Sequence, residues 1–292
     1  MENFNTIINK ESKKLFEFYE ELLNHLMGRH SIHEAQVANA IEHMALKYRK
    51  MKYITTRPID YDNICNCVGY LHKYAGSHSC LVLEVMLKIL KGSPPEEITQ
   101  LLSKPNVDVT FLGSGPGNDF VGFIGALYGE SKSITNMNVT IVDEMSGWET
   151  VFLATMDKLQ NNFIGNAGKF SRDVSISSTF LRSDITDSSL WHENEMENTL
   201  KETDLVFLVK ILSTISCINR QTALKNIVSH LKTGAILIYI DNSSPGDFSM
   251  LDSYLKCIYD SSRRQYHFQP RKKFNHNNAS RCQAEVKLFV KI

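Results

Sequence analysis

Val109-Thr110-Phe111-Leu112-Gly113-Ser114-Gly115-Pro116-Gly117-Asn118-Asp119 is the stretch on which the reading of this sequence turns. A short apolar run at 108–112 feeds a glycine-rich turn at 113–117, and the turn feeds a helical pattern over 120–128. Glycines allow positive φ and let the backbone come close to a bound molecule. In an open α/β sheet, ligands sit beyond the C-terminal ends of the strands, where such a turn lies. The spacing is G-x-G-x-G, with Asn118 where a dinucleotide fingerprint needs its third glycine, and no Gly-Lys-Ser/Thr follows to make a P-loop. Pro116 removes one N–H, which weighs against a pyrophosphate cradle built from backbone donors.

Downstream, strands and helices alternate. The sequence predicts a strand at 139–142, a helix at 148–159, an extended run at 174–182 and a buried strand at 204–209. A helix at 219–231, a strand at 235–240 (AILIYI), a helix at 250–259 and strands at 266–268 and 285–292 follow. That order predicts an α/β domain with a mainly parallel sheet. Upstream the texture is helical. Leu15, Phe16, Tyr19, Leu22, Leu23 and Leu26 form a stripe at spacings of three and four. Ser31 with Glu34 reads as a capping box opening a second helix. Thr56-Arg57-Pro58 breaks it, helices over 61–74 and 77–90 follow, and Gly92-Ser93-Pro94-Pro95 stops the last before a short helix at 95–102. The chain therefore divides into a helical region, 1–104, and an α/β domain, 105–292.

The 292 residues hold 32 Lys+Arg against 32 Asp+Glu, with 42% hydrophobic and 22% charged residues. That is a globular composition, and zero net charge excludes a generally polybasic protein. Six cysteines stand at 65, 67, 80, 217, 257 and 282; one C-x-C pair without a second is a poor zinc site, so free thiols are expected. His30-x-x-His33 lacks a third ligand nearby, and no metal is expected. The first fourteen residues are polar and charged, and no run reaches the ~18 apolar residues of a membrane span. The expectation is a soluble, cytoplasmic protein in a reducing compartment, with no membrane association.

The strand at 139–142 ends in Asp143-Glu144, facing the same crevice as the glycine turn. A carboxylate there accepts both hydroxyl protons of a ribose and repels a phosphate. The ligand should carry a free ribose.

These residues together resemble the class I S-adenosylmethionine-dependent methyltransferases. The matching pieces are the glycine motif at 111–117, Asp143 or Glu144 as the ribose acid, and Ser183-Asp184-Ile185 as the turn that contacts adenine. The run at 204–210 resembles the fourth strand, and Lys232-Thr233-Gly234 the turn before the fifth. The resemblance covers about 107–292. It implies a Rossmann-like, seven-stranded, mainly parallel sheet with an antiparallel last strand, and S-adenosyl-L-methionine as cofactor. It implies that Gly113, Ser114, Gly115 and Gly117 lie against the methionine part, Asp143 holds the ribose and Asp184 the adenine amino group. Met145 and Trp148 either cover the adenine or pack the core. Asn118 and Asp119 either contact the charged amino-acid end or cap the following helix.

The acceptor of this fold lies beyond the fourth strand, here Val209-Lys210-Ile211-Leu212-Ser213-Thr214. The segment lacks the Asp/Asn-Pro-Pro-Tyr/Phe of amino-methylating nucleic-acid enzymes and the cysteine of carbon-5 pyrimidine methylation. Lys210 is an acceptor-side group or a solvated, ion-paired lysine. Relatives with a helical extension often use it as a lid, and Tyr70-Leu71-His72-Lys73-Tyr74-Ala75-Gly76-Ser77-His78 is dense in groups that could line a pocket. By residue type His78 is the candidate base, with Tyr74 beside it; the alternative is a helix-start or surface histidine. A small-molecule acceptor under the lid is expected. The alternatives are an RNA or protein acceptor gripped by the basic stretch 263–273, or a non-catalytic cofactor-binding protein. That stretch otherwise reads as a solvated loop balancing the acidic segment 184–202.

Overall fold

In the computed structural model, residues 4–50, 59–161, 165–193, 195–242 and 248–292 are described; the helix break expected at Thr56-Arg57-Pro58 lies outside them. The strands are β1 (Asn106–Leu112), β2 (Asn136–Asp143), β3 (Ser175–Arg182), β4 (Leu205–Val209), β5 (Ile236–Asp241), β6 (Leu255–His267) and β9 (Arg281–Lys291), with a two-residue ribbon of β7 (Lys272–Lys273) and β8 (His276–Asn277) between the last two. Seven strands form one sheet in the order β3-β2-β1-β4-β5-β9-β6. The β1, β2, β3, β4 and β5 pairings are parallel, and β9 runs antiparallel between β5 and β6. Strand order reverses between β1 and β4, so the crevice of the sheet opens after Leu112 and Val209.

Alternate strand residues reach two cores, as a sheet covered on both faces requires. Val109, Phe111, Ile141 and Phe207 join the cluster under the N-terminal helices and α6 (Asn118–Leu127), α7 (Gly147–Asn161) and α8 (Asn166–Asp173). Leu112, Val142, Leu208 and Leu237 join the cluster under α9 (Met196–Glu202) and α10 (Cys217–His230). Phe111 stacks on Phe207 with ring centroids 4.6 Å apart across β1 and β4.

The N-terminal helices are α1 (Phe4–Arg29), α2 (Glu34–Lys50), α3 (Ile64–Tyr70), α4 (Gly76–Lys91) and α5 (Glu96–Leu102). They share the first core with the sheet. Helix α4 lies so close to α6 that a Cβ on Gly122 would stand 2.3 Å from the Ser79 carbonyl oxygen. Between α3 and α4 the sequence suggests a break, yet the chain runs on through a π-turn, Leu71–Ala75. Gly76 accounts for the difference. It is helical, and it is glycine because a Cβ would meet the Phe16 ring at 2.6 Å.

A second difference is at 250–259, where the spacing predicts a helix. Ser249–Leu251 forms a single 3-10 turn, 252–254 a further turn, and β6 begins at Leu255. Register shifts at Cys257/Tyr259 and Ser261/Arg264 break the two-residue alternation of this edge strand. Leu251, Leu255 and Ile258 then imitate helical spacing.

Asp241 ends β5 opposite Glu285, so the β6–β9 ribbon projects beyond the sheet at the crevice end. Its tip folds back onto the π-turn. Ala279 N donates to Lys73 O at 2.7 Å, Ser77 Oγ to Ala279 O at 2.5 Å, Lys73 Nζ to Asn277 O at 2.6 Å and His72 Nε2 to His276 O at 2.9 Å. The two-residue turn at the tip needs positive φ twice, at Phe274 (54°) and Asn275 (60°). Phe274 holds that strained conformation while buried edge-on against His72, ring centroids 5.7 Å apart.

Candidate active site

The glycine turn is built as its spacing requires. Gly113, Gly115 and Gly117 have φ of 65°, 49° and 77°, in the left-handed region. A Cβ on Gly113 would stand 2.4 Å from Ile211, on Gly117 2.9 Å from Phe152, and on Gly115 3.1 Å from the Trp148 indole. Asp143, at the tip of β2, closes the turn from the other side. Its Oδ2 accepts from Gly115 N at 3.0 Å and its Oδ1 from Met145 N at 3.3 Å. Burial pushes the Asp143 carboxyl up to about 7, against the lowering by those two N–H groups. Glu144 is raised by burial and then by the nearby Asp184 and Asp62.

At the start of α6 the cap is Gly117, without a side-chain hydrogen bond, so neither Asn118 nor Asp119 caps the helix. They turn to each other, Asn118 Nδ2 donating to Asp119 Oδ1 at 2.6 Å. Asp119 is fully enclosed, and burial raises it to about 8 although Ser114 and Asn118 favour its charge. Ser114 Oγ lies against that carboxyl without completing a hydrogen bond, and Asn118 Oδ1 is also buried without a partner. Ser79 Oγ donates to Asn118 O at 2.5 Å and lies 2.7 Å from the Tyr19 hydroxyl. A serine hydroxyl has one proton, so Tyr19 donates to Ser79. This chain ties α1 and α4 to the glycine turn.

On the third strand's side, Asp184 Oδ1 accepts from Thr186 N and Oγ1, both at 2.8 Å. The Trp191 indole donates to Asp184 O at 3.1 Å. Ile185 is buried beside Trp191, and Ser183 Oγ is buried without a partner.

The helical region covers the turn with rings. Trp148, packed on Gly115, lies 4.5 Å from the Tyr61 ring and 5.2 Å, edge-on, from the Tyr70 ring. Tyr61 is held down where its N–H donates to Met145 Sδ at 3.1 Å, and Asp62 Oδ1 accepts from Ser146 Oγ and Gly147 N. The Tyr48 and Tyr61 hydroxyls are 2.9 Å apart, and the Tyr74 ring stands edge-on to Tyr48. Tyr70, Tyr74 and His78 follow at intervals of four, and the π-turn keeps them on one side: Tyr70–Tyr74, Tyr70–His78 and Tyr74–His78 centroids are 5.6, 6.1 and 6.0 Å apart. The Tyr70 hydroxyl is 3.1 Å from His78 Nδ1. Burial, then the charge of Lys210, pushes His78 down to about 3.

Lys210 stands at the end of β4 with φ of 57°, unusual outside glycine. Its N–H donates to Ile240 O at 2.9 Å, and its Nζ donates to Asn242 Oδ1 at 3.0 Å and to Gln283 O. Tyr74, His78 and Lys210 thus gather beside the glycine turn, as do the cofactor candidates except Asp184 and Ile185, which stand with Ser183 on the third-strand side. Tyr70 lies in the stretch that the sequence already marks as pocket-lining, whereas Tyr48, Tyr61, Tyr19 and Ser79 are missed as members of the site. For Tyr70 the i, i+4, i+8 pattern with Tyr74 and His78 is a readable signal; for the others, no local pattern marks them.

The basic stretch divides. Arg271 and Lys273 pair with Glu20 of α1 at 3.1 and 3.7 Å, and Lys273 also donates to Asn24 Oδ1 at 2.6 Å. Their partners are on α1, not in the acidic segment 184–202. Arg263, Arg264 and Lys272 are exposed, with no ion pair among the described residues, as is Arg281 beyond the stretch at the start of β9. Two cavities flank this seam, one of about 570 Å³ lined by Asn9, Ser12, Glu84 and Phe268, and one of about 260 Å³ lined by Tyr19, His72, Arg271 and Asn278. Among the described residues, no cluster suited to a metal ion is found, and no helix is long and apolar enough to cross a membrane.

A nucleoside linked to an amino acid fits this donor set. The glycines leave no room for side chains of their own, Ser114 Oγ, Asn118 Oδ1 and Ser183 Oγ are buried without partners among the described residues, and two buried carboxyls, Asp119 and Asp143, flank the turn. The fold and this turn define a class I S-adenosylmethionine-dependent methyltransferase. The model of the family described as "Putative SAM-dependent methyltransferase" (Methyltransf_34) matches residues 19–269, and the chain belongs to that family. It is a methyltransferase that uses S-adenosylmethionine. No curated protein matches it by sequence. Among solved structures it is similar to magnesium protoporphyrin IX methyltransferase from Synechocystis PCC 6803 with bound SAM (11% identity, 82% of this chain and 100% of that one, TM-score 0.44). It is also similar to the N-methyltransferase NodS from Bradyrhizobium japonicum WM9 with S-adenosyl-L-homocysteine (14%, 72% and 98%, 0.36) and to an rRNA methylase from Streptococcus thermophilus (12%, 68% and 93%, 0.37).

Proposed function

We propose that the protein transfers the methyl group to a small acceptor held between the end of β4 and the helical region. The observation that carries this reading is the ring-lined face of Tyr70, Tyr74 and His78, placed by the π-turn beside Lys210 and over Trp148. Residues 1–104 then form the roof and 105–292 the cofactor-binding domain. The cytoplasm suits its free thiols at Cys65, Cys67, Cys80, Cys257 and Cys282.

The cofactor supplies an electrophilic methyl on a positively charged sulfur. In this reading the chain's residues position it. Gly113, Gly115 and Gly117 give its methionine part backbone to lie on. Asp143, with Glu144 beside it, takes the ribose hydroxyls, and Asp184 with Ile185 meets the adenine. Ser114, Asn118 and Asp119 take the ammonium end, where a cation would relieve the cost of charging Asp119. Trp148 and the tyrosines exclude water from the reacting centre, and methyl transfer needs little else beyond alignment.

One observation favours a second reading, an RNA acceptor: Arg263, Arg264, Lys272 and Arg281 are exposed, and without an ion pair among the described residues, on the ribbon that projects beside the crevice. Salt dependence separates the two. A single-stranded RNA acceptor gives a log–log affinity slope of about −0.7 for each phosphate neutralised. An Arg263→Ala/Arg264→Ala/Arg281→Ala protein would then bind RNA with a flatter slope. No measurable RNA affinity in the wild type, with S-adenosylmethionine bound in calorimetry, supports the small acceptor; a steep slope flattened by the triple variant overturns it. Calorimetry that detects NAD but neither S-adenosylmethionine nor its demethylated product overturns the whole assignment.

A further inference from the structure

Tyr70 and His78 share the one polar contact that decides what His78 can do for an acceptor. Both are neutral near pH 7, since burial raises the Tyr70 hydroxyl well above its usual range and lowers His78. A neutral imidazole has one donor nitrogen and one acceptor nitrogen, and the neighbour of one fixes the role of the other. The 3.1 Å contact between the Tyr70 hydroxyl and His78 Nδ1 can be filled in two ways. An imidazole nitrogen is a far stronger acceptor than a phenol oxygen. If Nδ1 donated, moreover, the Tyr70 proton would be left without a partner among the described residues. Tyr70 therefore donates, Nδ1 accepts, and the ring proton sits on Nε2.

That leaves His78 with a donor to offer. Nε2 has no partner among the described residues. Lys210 stands near enough for its charge to lower His78, and no carboxylate pairs with it among the described residues. The face over β4 thus presents an N–H and an unneutralised cation.

We propose that His78 Nε2–H and Lys210, with Tyr70 as the positioning residue that fixes the His78 tautomer, form a seat for an acceptor that reacts as an anion with its charge on or shared with an oxygen. This rests on the reading that the acceptor sits under the roof. Phenolates, carboxylates and ring N–H groups flanked by a carbonyl share that chemistry. The acceptor gives its proton to solvent before it binds. Its lone pair then forms the bond to the methyl carbon, the carbon–sulfur bond breaks with its pair kept on sulfur, and both acceptor and sulfur end neutral. Protein-based proton abstraction is not required.

The test has a spectroscopic arm and a binding arm. In the ¹⁵N-labelled protein saturated with S-adenosylhomocysteine, long-range ¹H–¹⁵N spectra should show His78 protonated on Nε2 alone, and Tyr70→Phe should give a mixture of tautomers while keeping the ring packing. A proton on Nδ1 in the wild type overturns the proposal, as does a tautomer unmoved by Tyr70→Phe. In the binding arm, 4-nitrophenolate should bind at least tenfold tighter than neutral 4-nitroanisole, shift the His78 ring signals, and lose that preference in Lys210→Met and His78→Phe. Equal binding of the two probes, with His78 shifted by both, overturns the anion seat while leaving an acceptor pocket under the roof. If neither probe moves the His78 signals, the acceptor lies elsewhere, and the reading of the roof falls together with this inference.

Discussion

Replacing Asp143 by asparagine tests the ribose acid with a number attached. The carboxyl stands at about 7 because burial opposes its charge, even with the Gly115 and Met145 N–H groups in place. In the proposed ribose contact the hydroxyls donate to the charged form, so the cofactor would bind that form. A raised carboxyl is lost to protonation as the pH falls through about 7. About one molecule in eleven has Asp143 charged at pH 6, and about ten in eleven at pH 8, so this group alone makes wild-type affinity rise about tenfold over that range. The Asp143→Asn variant has no such step. At pH 8 its loss of charged hydrogen bonds should weaken binding by about 1.5–3 kcal/mol, or roughly 10- to 150-fold. At pH 6 the deficit should shrink about tenfold, because most of the wild type is uncharged there too. Titration of Asp119 and of the cofactor's amino group occurs with both proteins and cancels in the ratio. Isothermal titration calorimetry at pH 6, 7 and 8, in paired buffers of different ionisation heat, gives both the ratio and the protons released. A ratio that stays constant with pH, or equal proton release by the two proteins, refutes the argument.

Asp119→Asn should change stability in the free protein. Asp119 is raised to about 8, so its contribution is greatest under acid conditions and is lost as the pH rises through that value. The melting temperature of the variant should gain on the wild type between pH 5 and pH 9, and a gap that does not move with pH contradicts the assignment. Gly115→Ala forces a Cβ into positive φ and to 3.1 Å from Trp148; denaturant unfolding should show a loss of about 1–2 kcal/mol, together with weaker cofactor binding in calorimetry. Ser79→Ala strands the buried Tyr19 proton and the Asn118 carbonyl and should cost about 1–3 kcal/mol. Adding Tyr19→Phe should cost less than the sum of the two single changes, and strict additivity would show that the three groups do not act as a chain. Removing Arg271 should cost under about 1 kcal/mol, since its partner Glu20 is about half exposed.

The α/β half of the molecule is governed by local rules. A buried strand, a turn that needs positive φ at alternate residues, and an acid at the tip of the next strand follow each other within 40 residues. Sequence spacing alone places Gly113, Gly115, Gly117 and Asp143 around one crevice once the strands are parallel neighbours. The alternation of strands and helices fixes that parallel order, so the class is readable before any contact is known.

Other features depend on distant partners. The first part of the edge strand β6, at 255–259, reads as a helix because the register shifts against β9 hide its alternation, and only pairing with β9 reveals it as a strand. Gly76 reads as a break, but its missing side chain makes room for Phe16, sixty residues away. The π-turn leaves no compositional mark, yet it aligns Tyr70, Tyr74 and His78 and offers the Lys73 carbonyl to Ala279. Asn118 and Asp119 look like helix caps until the fold buries them against each other. The sequence by itself determined the α/β class and the glycine turn, because strand periodicity and glycine stereochemistry act over a few residues. Tertiary structure alone decided the rings packed over the glycine turn, the raised carboxyls and the contact between Tyr70 and His78, because burial and hydrogen-bond partners come from segments far apart in the chain.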